Sequence, residues 1–377
     1  MAVALGTGEA VLRVVRPQST FARMLQNEPS MFRPSDVLPY ELRPGYVGRL
    51  KRGPYDVGIR IDGQGYRSPE FSPSAKKLVR ILTVGDSFTF GWGVEAEEAY
   101  PQRLERLLAG PLGADVEVIN AGFAAGYSPD TYYLFLKQRG MLLNPDLVVV
   151  GFFVGNDIDH VRAFENEWTE VDGEGLPLRI INVDSKVDEG RLVSRRRPLR
   201  YRVPVLRDLH LFQLAAGAVQ RIAGEPTSAA ERSPGEIPFV FRVAYEERTR
   251  RLVEQVQHLF RAMKRVADER RVPLCVLLIP DRDQLVAESR VRTAAADWDK
   301  PQRLFRAFFD QEKIPYLDLL AEMRARNAAE DLYIPNDFHW NRKGHELAAR
   351  RLARHLLEEE TYRASIPSFR LRSAWIP

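Results

Sequence analysis

Short aliphatic segments alternate with amphipathic helical segments through most of this 377-residue sequence, and this alternation constrains the fold more than any other feature. The predicted strands are KLVRILTV (77–84), VEVIN (116–120), PDLVVVGFFV (145–154), VPLCVLLIP (272–280) and PYLDL (315–319). The predicted helices lie near 95–108, 129–140, 243–270, 299–312 and 343–359. Because uninterrupted apolar strands suit a sheet that is buried on both faces, the order predicts an α/β fold with a parallel sheet between helices.

Two regions depart from this alternation. Residues 1–75 carry eight prolines and scattered aromatic residues without a long periodic pattern, so we expect an irregular arm that lies against the main domain. Residues 76–377 form the predicted main domain, which is interrupted at about 158–240 by charged sequence that contains Gly and Pro. We expect this insertion to contain one short helix, at 207–224.

Composition excludes several functions. The 55 Lys and Arg residues against 51 Asp and Glu leave a net charge of +4, which is too small to indicate nucleic-acid binding. Cys275 is the only cysteine, so the chain cannot form an internal disulfide or a Cys-based metal site. No cofactor motif is found, since GWGVEA lacks the third glycine of the dinucleotide pattern.

The amino terminus bears on localisation. Its apolar segment meets Glu9 and Arg13 well before the roughly 18 residues that a membrane span needs, and it lacks the basic segment of a signal peptide. We therefore expect a cytoplasmic protein, or an extracytoplasmic or anchored one if a longer apolar segment precedes this start. The arginine-rich run at 191–207 also leaves peripheral association with a membrane or envelope polymer open.

Residues that can carry chemistry follow three of the predicted strands. GDSF (85–88) follows the first strand, NAGFAAGYS (120–128) continues the second, and GNDI (155–158) follows the third. The carboxyl ends of parallel strands share one edge of the sheet, where loops converge on ligands. We therefore expect the Ser87 hydroxyl, the glycine-rich loop and the Asn156 amide to lie together.

A serine needs a general base to act as a nucleophile, and the base needs an acid to orient it. Asp337 and His339 lie two residues apart just before the last predicted helix, so one loop could bring both to Ser87. His339 would accept the serine proton, and Asp337 would fix the imidazole tautomer. The main-chain N–H groups of Ser87 and Gly126 and the side-chain amide of Asn156 would form an oxyanion hole. Gly122 is the alternative to Gly126.

Four blocks in this order resemble the SGNH/GDSL hydrolase family: GDSF, the glycine block, GND at 155–157 and DFHW at 337–340. The upstream segments PYELRPGY (39–46) and DGQGYRS (62–68) resemble one branch of it. One residue, not the commoner two, separates the final Asp and His, as in alginate-acetylating relatives. The resemblance implies a three-layer α/β/α sandwich like that of flavodoxin, with Ser87 as the nucleophile.

Other roles for these residues are also open. Ser87 could cap the helix that follows it, and Asp86 and Asp157 could simply brace their loops. His160 is a rival general base. Asp337, His339 and His345 could bind a metal ion, although they match no zinc motif and we expect none.

The function expected from these blocks is hydrolysis of carboxylic esters, acyl or acetyl, through an acyl-enzyme on Ser87. The substrate would be a small-molecule or carbohydrate acyl ester. The nearest alternative is an O-acyltransferase, in which a saccharide hydroxyl replaces water in the second step. A non-catalytic protein that binds envelope polymer or lipid is a third alternative, from a different class.

Overall fold

The computed structural model describes residues 2–18, 20, 22, 29–74, 79–112, 116–161, 169–180, 185–195, 201, 203–222, 237–285, 295–326, 329–335 and 337–366. The strands are β1 (Phe32–Arg33), β2 (Glu41–Leu42), β3 (Val47–Arg52), β4 (Tyr55–Arg60), β5 (Val79–Gly85), β6 (Val116–Gly122), β7 (Leu147–Phe153), β8 (Thr169–Val171), β9 (Pro177–Ile180), β10 (Ser185–Asp188), β11 (Arg191–Ser194), β12 (Leu274–Ile279) and β13 (Tyr316–Asp318). The helices are α1 (Ala2–Val15), α2 (Ser87–Phe90), α3 (Tyr100–Leu112), α4 (Pro129–Gln138), α5 (His210–Ile222), α6 (Glu247–Glu269), α7 (Arg282–Leu285), α8 (Lys300–Glu312), α9 (Leu320–Ala325), α10 (Ala329–Leu332), α11 (Arg342–Glu358) and α12 (Glu360–Ser365). Short 3₁₀ turns occupy Ala96–Glu98, Gly140–Leu143 and Phe239–Phe241.

A five-stranded parallel sheet forms the centre of the molecule, in the order β13-β12-β7-β5-β6. Numbered along the chain, this order is 2-1-3-4-5, the flavodoxin-like arrangement. The chain leaves β5 toward the edge strand β6 and then returns to β7 on the other side. This reversal opens a crevice at the carboxyl ends of those three strands. The predicted α/β fold is confirmed.

Helices cover both faces of the sheet, because successive side chains on each strand enter two different apolar clusters. Leu82 and Val84 of β5 pack in a cluster with α4, α6 and α8. Ile81 of the same strand packs in a second cluster with α3, α9, α11 and α12. The result is the three-layer α/β/α sandwich that the sequence predicts.

The amino-terminal arm is more regular than expected. It contains α1 and two antiparallel hairpins, β1–β2 and β3–β4. Alternation is visible in β4, where Tyr55, Val57 and Ile59 are buried between less buried neighbours. Alternation with a period of two predicts a half-buried strand, so the sequence YDVGIR itself indicates β4. Tyr40 and Ile59 of the arm join the first apolar cluster of the sandwich.

The insertion contains the hairpins β8–β9 and β10–β11 and the helix α5, close to the helix predicted at 207–224. It contacts the arm at several places, including α1 and β1. Glu9 of α1 accepts hydrogen bonds from the main-chain N–H groups of His210 and Leu211, which begin α5. The Phe32 N–H donates to the carbonyl of Gly190, in the turn between β10 and β11.

Among the described residues, no helix is both long enough and apolar enough to cross a bilayer.

Candidate active site

The chemistry-bearing segments meet at the carboxyl edge of the sheet. Strand β5 ends at Gly85 directly before Asp86 and Ser87, and its register pairs Gly85 with Gly122, the last residue of β6. The Phe123 N–H then donates to the Gly85 carbonyl. The glycine block therefore begins beside the loop that carries Ser87, because the two strands end in register.

Ser87 occupies the first position of the short helix α2. Asp86 caps this helix, and its Oδ1 accepts a hydrogen bond of 2.9 Å from the Phe88 N–H. The cap is therefore Asp86 and not Ser87, which leaves the Ser87 hydroxyl available. The side chain lies in a shielded position, with 8 % of the residue exposed.

Ser87, His339 and Asp337 form a continuous chain of hydrogen bonds. The Ser87 Oγ lies 2.8 Å from His339 Nε2, and His339 Nδ1 lies 2.6 Å from Asp337 Oδ1. A carboxylate can only accept, so Nδ1 carries the proton and Nε2 is free to accept the serine O–H. The same Asp337 Oδ1 also accepts the main-chain N–H of His339 at 3.0 Å.

The charge of Asp337 is maintained by its partners. Burial alone would raise its pKa, but the hydrogen bond and charge of His339, together with main-chain N–H donors, outweigh this and lower the pKa below its ordinary value. The acid therefore stays ionised through the neutral range. An ionised carboxylate in this position can stabilise a positive charge on the neighbouring imidazole.

Two residues that the sequence analysis missed lie behind Asp337. The Tyr55 hydroxyl, from β4, donates to Asp337 Oδ2 over a long 3.5 Å, and Trp92 Nε1 donates to the Tyr55 oxygen at 2.7 Å. Burial and the charge of Asp337 raise the pKa of Tyr55 to about 12, so the phenol remains a donor. No local pattern links Tyr55 to a loop 282 residues away.

Aromatic rings surround the imidazole. The ring centroid of His339 lies 5.4 Å from that of Phe88, 6.3 Å from that of Trp92 and 4.3 Å from that of Phe338. Phe338 is the exposed member, at 39 %. Apolar walls exclude water and so strengthen the hydrogen bonds between the charged groups inside.

Gly126 has a free N–H group, whereas that of Gly122 is engaged. The Gly122 N–H donates to Asn120 Oδ1 at 2.9 Å, and a Cβ at this position would lie 2.1 Å from the Phe90 nitrogen. Close packing against Phe90 therefore explains why residue 122 is a glycine. Gly126 is exposed and has a φ of +68°, a conformation that favours glycine. Within the described part of the chain, neither its N–H nor that of Ser87 has a hydrogen-bond partner.

Asn156 lies in the turn after β7, where its own carbonyl accepts the His160 N–H. Its side-chain Oδ1 is buried without a partner among the described residues, and the structure records no hydrogen bond for its amide nitrogen there. An amide without an internal partner remains available to a ligand. Ser87, Gly126 and Asn156 therefore follow three adjacent strands, each with a donor available.

The GYR segment of the arm braces the segment that follows Ser87. The Arg67 guanidinium is fully buried and donates to four main-chain carbonyls, those of Gly58, Phe90, Gly91 and Val94. Burial lowers its pKa to about 10, opposed by the charges of Glu95 and Glu97. The guanidinium therefore stays charged and ties β4 to the segment that follows α2.

Two carboxyls are buried beneath the site. Burial raises the pKa of Asp86 to about 7, and its Oδ2 has no hydrogen-bond partner among the described residues. Burial and then the charge of Asp86 raise the pKa of Asp157 well above its ordinary value, although Tyr132 and the Phe153 N–H donate to it. This environment fits the expectation that both residues brace their loops.

Replacing Asp86 should change how stability depends on pH. Folding raises the pKa of this carboxyl from 3.8 to about 7, so the folded state holds a proton that the unfolded state releases between these values. The free energy of unfolding therefore falls as pH rises from about 4 to about 7, and Asp157 adds a fall in the same direction. Asp86→Asn keeps the acceptor for Phe88 and cannot ionise. We expect urea denaturation to show that the free energy of unfolding of the variant rises relative to that of the wild type from about pH 4 to about pH 7; a constant difference would contradict this.

The remaining histidines lie outside this chain of hydrogen bonds. His345 is fully buried, and its Nδ1 accepts the Tyr100 N–H at 3.3 Å. Burial, with nearby positive charges, lowers its pKa to about 3, so it is neutral. It stacks on Tyr100, and among the described residues no group of three or more His, Cys, Asp or Glu side chains is placed to hold a metal ion. The imidazole that contacts Ser87 is that of His339, not that of His160.

Comparison with known proteins agrees with this fold. Residues 240–374, about a third of the chain, match the family model described as "SGNH hydrolase-like domain, acetyltransferase AlgX". This part of the chain is similar to the SGNH hydrolase-like domains that the model describes. The matched region contains Asp337 and His339, whose short spacing resembles that of alginate-acetylating relatives. A search of curated proteins finds no significant match.

Solved structures give more distant similarities. A putative lipolytic protein of the G-D-S-L family from Desulfitobacterium hafniense is 14 % identical, with a TM-score of 0.38, and the match covers 74 % of this chain and 99 % of that one. A lipase/acylhydrolase from Enterococcus faecalis is 14 % identical, with a TM-score of 0.40, over 74 % and 95 % of the two chains. An acetyl xylan esterase, AlAXEase, is 14 % identical, with a TM-score of 0.39, over 73 % and 98 %. The fold assignment rests on the sheet order, and the substrates of these proteins are not transferred to this chain.

Proposed function

We propose that this protein is a serine hydrolase that cleaves carboxylic esters through an acyl-enzyme on Ser87. The observation that carries the proposal is the continuous contact from Ser87 Oγ to His339 Nε2, at 2.8 Å, and from His339 Nδ1 to Asp337, at 2.6 Å. Both distances lie within the range that proton transfer requires. The match of residues 240–374 to an SGNH hydrolase-like family model gives independent support for a hydrolase-like activity.

In the first half-reaction, the Ser87 O–H proton passes to His339 Nε2 as the serine oxygen attacks the ester carbonyl. The negative charge that develops on the carbonyl oxygen would be held by the N–H groups of Ser87 and Gly126 and by the Asn156 amide. When the intermediate collapses, the C–O bond to the alcohol breaks and His339 gives its proton to the departing alkoxide oxygen. The acyl group remains on Ser87.

In the second half-reaction, water loses a proton to His339 and attacks the acyl-enzyme, and the carboxylic acid is released as the proton returns to Ser87. Asp337 holds the imidazole in the same tautomer throughout. The substrate class proposed is an acyl ester of a small molecule or a carbohydrate, and acetyl is the simplest acyl group that fits the family model.

The second candidate function is O-acyl transfer, in which a saccharide hydroxyl replaces water in the second half-reaction. The match to an acetyltransferase family model favours it. Both functions share the first half-reaction, so the three side chains cannot distinguish them.

Measuring where the acyl group goes separates the two functions. Purified protein is incubated with an activated acetyl ester such as p-nitrophenyl acetate and a panel of saccharides, and free acetate and acetylated sugar are quantified. For a hydrolase, we expect free acetate to account for nearly all of the released acyl group. Acetylated sugar in excess of free acetate, absent with Ser87→Ala, would instead establish the transferase.

A further inference from the structure

The peptide bond between Ala125 and Gly126 is held from inside the protein by one side chain. The Tyr40 hydroxyl donates to the Ala125 carbonyl at 2.6 Å and accepts the Ala125 N–H at 2.8 Å. Ala125 and Gly126 are themselves exposed, whereas Tyr40 is completely buried. An exposed turn is therefore fixed by a phenol that belongs to the arm, 85 residues away.

This contact determines where the Gly126 N–H points. The Ala125 carbonyl and the Gly126 N–H belong to the same peptide unit, which is planar and trans, so the two bonds point in opposite directions. Because the carbonyl oxygen is held against the buried Tyr40, the N–H must face away from the interior. A hydrogen bond to the carbonyl also polarises the peptide unit, which makes its N–H a stronger donor.

Tyr40 is itself held firmly. The Tyr127 hydroxyl donates to the Tyr40 carbonyl at 2.5 Å, and the Phe32 ring packs edge-on against the Tyr40 ring with 4.9 Å between centroids. Phe123 and Tyr127 stack on each other at 3.8 Å and so hold the two ends of the turn together. Burial raises the pKa of the Tyr40 hydroxyl well above its ordinary value, so it stays protonated and able to donate.

We propose that Tyr40, anchored by Tyr127, is a positioning residue that aims the Gly126 N–H into the oxyanion hole. This inference rests on the proposed function, since it assigns a role in the same reaction. It gives the YELRP segment of the arm a role in the transition state, although Tyr40 need not touch the substrate. An oxyanion donor that is fixed before the reaction does not have to be reorganised during it.

The test is Tyr40→Phe, which removes the hydroxyl and keeps the ring. It compares kcat/KM for an activated acetyl ester with kcat/KM for the matching thionoester, whose developing anion sits on sulfur and accepts hydrogen bonds weakly. We expect kcat/KM for the oxygen ester to fall by about 10- to 100-fold, mainly through kcat, and the thionoester to be affected much less. The ratio of kcat/KM for the oxygen ester to kcat/KM for the thionoester would then fall. It should approach the ratio measured in Asn156→Ala, a variant that removes a proposed donor directly.

A purely structural role for Tyr40 would give a different result, because a disturbed triad slows both esters equally. An unchanged ratio in Tyr40→Phe overturns the inference. Tyr245→Phe is the matched control, since the Tyr245 hydroxyl also donates to a main-chain carbonyl, that of Val240, at 2.6 Å; it should leave the ratio unchanged. If near-UV circular dichroism shows that Tyr40→Phe is unfolded, the ratio is measured in Tyr127→Phe, where a wild-type ratio overturns the inference.

The proposed function and this inference fail separately. Ser87→Ala is assayed on the same esters, and turnover that survives it would refute the acyl-enzyme whatever Tyr40 does. If Ser87→Ala abolishes turnover while Tyr40→Phe keeps the wild-type ratio, only the positioning role is lost.

Discussion

Ser87→Ala should lower kcat/KM for a short-chain activated ester by about 10⁴-fold or more, since the variant has no nucleophile for His339 to activate. Residual turnover would come from the oxyanion donors and from substrate binding alone. The measurement is steady-state hydrolysis of p-nitrophenyl acetate. Mass spectrometry of the acetylated protein should show one acetyl group on the wild type, trapped at low pH, and none on the variant.

The matched control is Ser68→Ala, because Ser68 is another buried serine, whose Oγ accepts the Asn120 N–H. It should retain acylation at Ser87. Equal inactivity of the wild type and Ser87→Ala on several short-chain acyl esters, with unchanged binding of an anionic polymer, would contradict the enzyme and favour the non-catalytic alternative.

Arg67→Met should be the most damaging change to stability outside the apolar core. In the wild type, four main-chain carbonyls accept hydrogen bonds from the Arg67 guanidinium. The substitution removes this donor from all four. We expect the free energy of unfolding to fall by about 3 kcal/mol or more, because each buried acceptor that stays unsatisfied costs on the order of 1–3 kcal/mol. Urea denaturation followed by circular dichroism measures this loss.

Arg49→Met on the neighbouring strand β3 is the control. Its side chain is 63 % exposed and pairs with Asp56 at the surface, so the urea midpoint should barely move. Equal urea midpoints for Arg67→Met and Arg49→Met would show that the buried guanidinium does not hold the segment that follows α2. Arg67→Lys should resemble Arg67→Met, since one ammonium cannot reproduce the planar fork that reaches four oxygens.

Much of the sandwich could be predicted from the sequence because its signals are local. The strands β5, β6, β7, β12 and β13 are apolar runs bounded by polar or turn residues, and each was predicted to within about three residues. Their carboxyl ends follow from parallel pairing, which is why Ser87, Gly126 and Asn156 could be grouped. Asp337 and His339 could be added because a nucleophilic serine requires a base and an acid.

The contacts of the arm could not be predicted in the same way. Tyr55, Arg67 and Tyr40 act on residues that lie from 9 to 282 positions away, and their neighbours in the sequence carry no sign of it. A buried arginine or tyrosine looks the same in a sequence as an exposed one. The strands β1 and β2 are also only two residues long, too short for a period of two to be recognised.

The single residue between Asp337 and His339 has a mechanical consequence. Asp337 Oδ1 accepts hydrogen bonds from both the ring Nδ1–H and the main-chain N–H of His339. The two bonds close a small hydrogen-bonded ring within the loop. Asp337 and the imidazole of His339 are therefore fixed to each other, and the proton stays on Nδ1. The orientation of the His339 ring relative to Asp337 is therefore set within the loop itself, whereas the distance from His339 Nε2 to the Ser87 Oγ depends on how the loop packs against the sandwich.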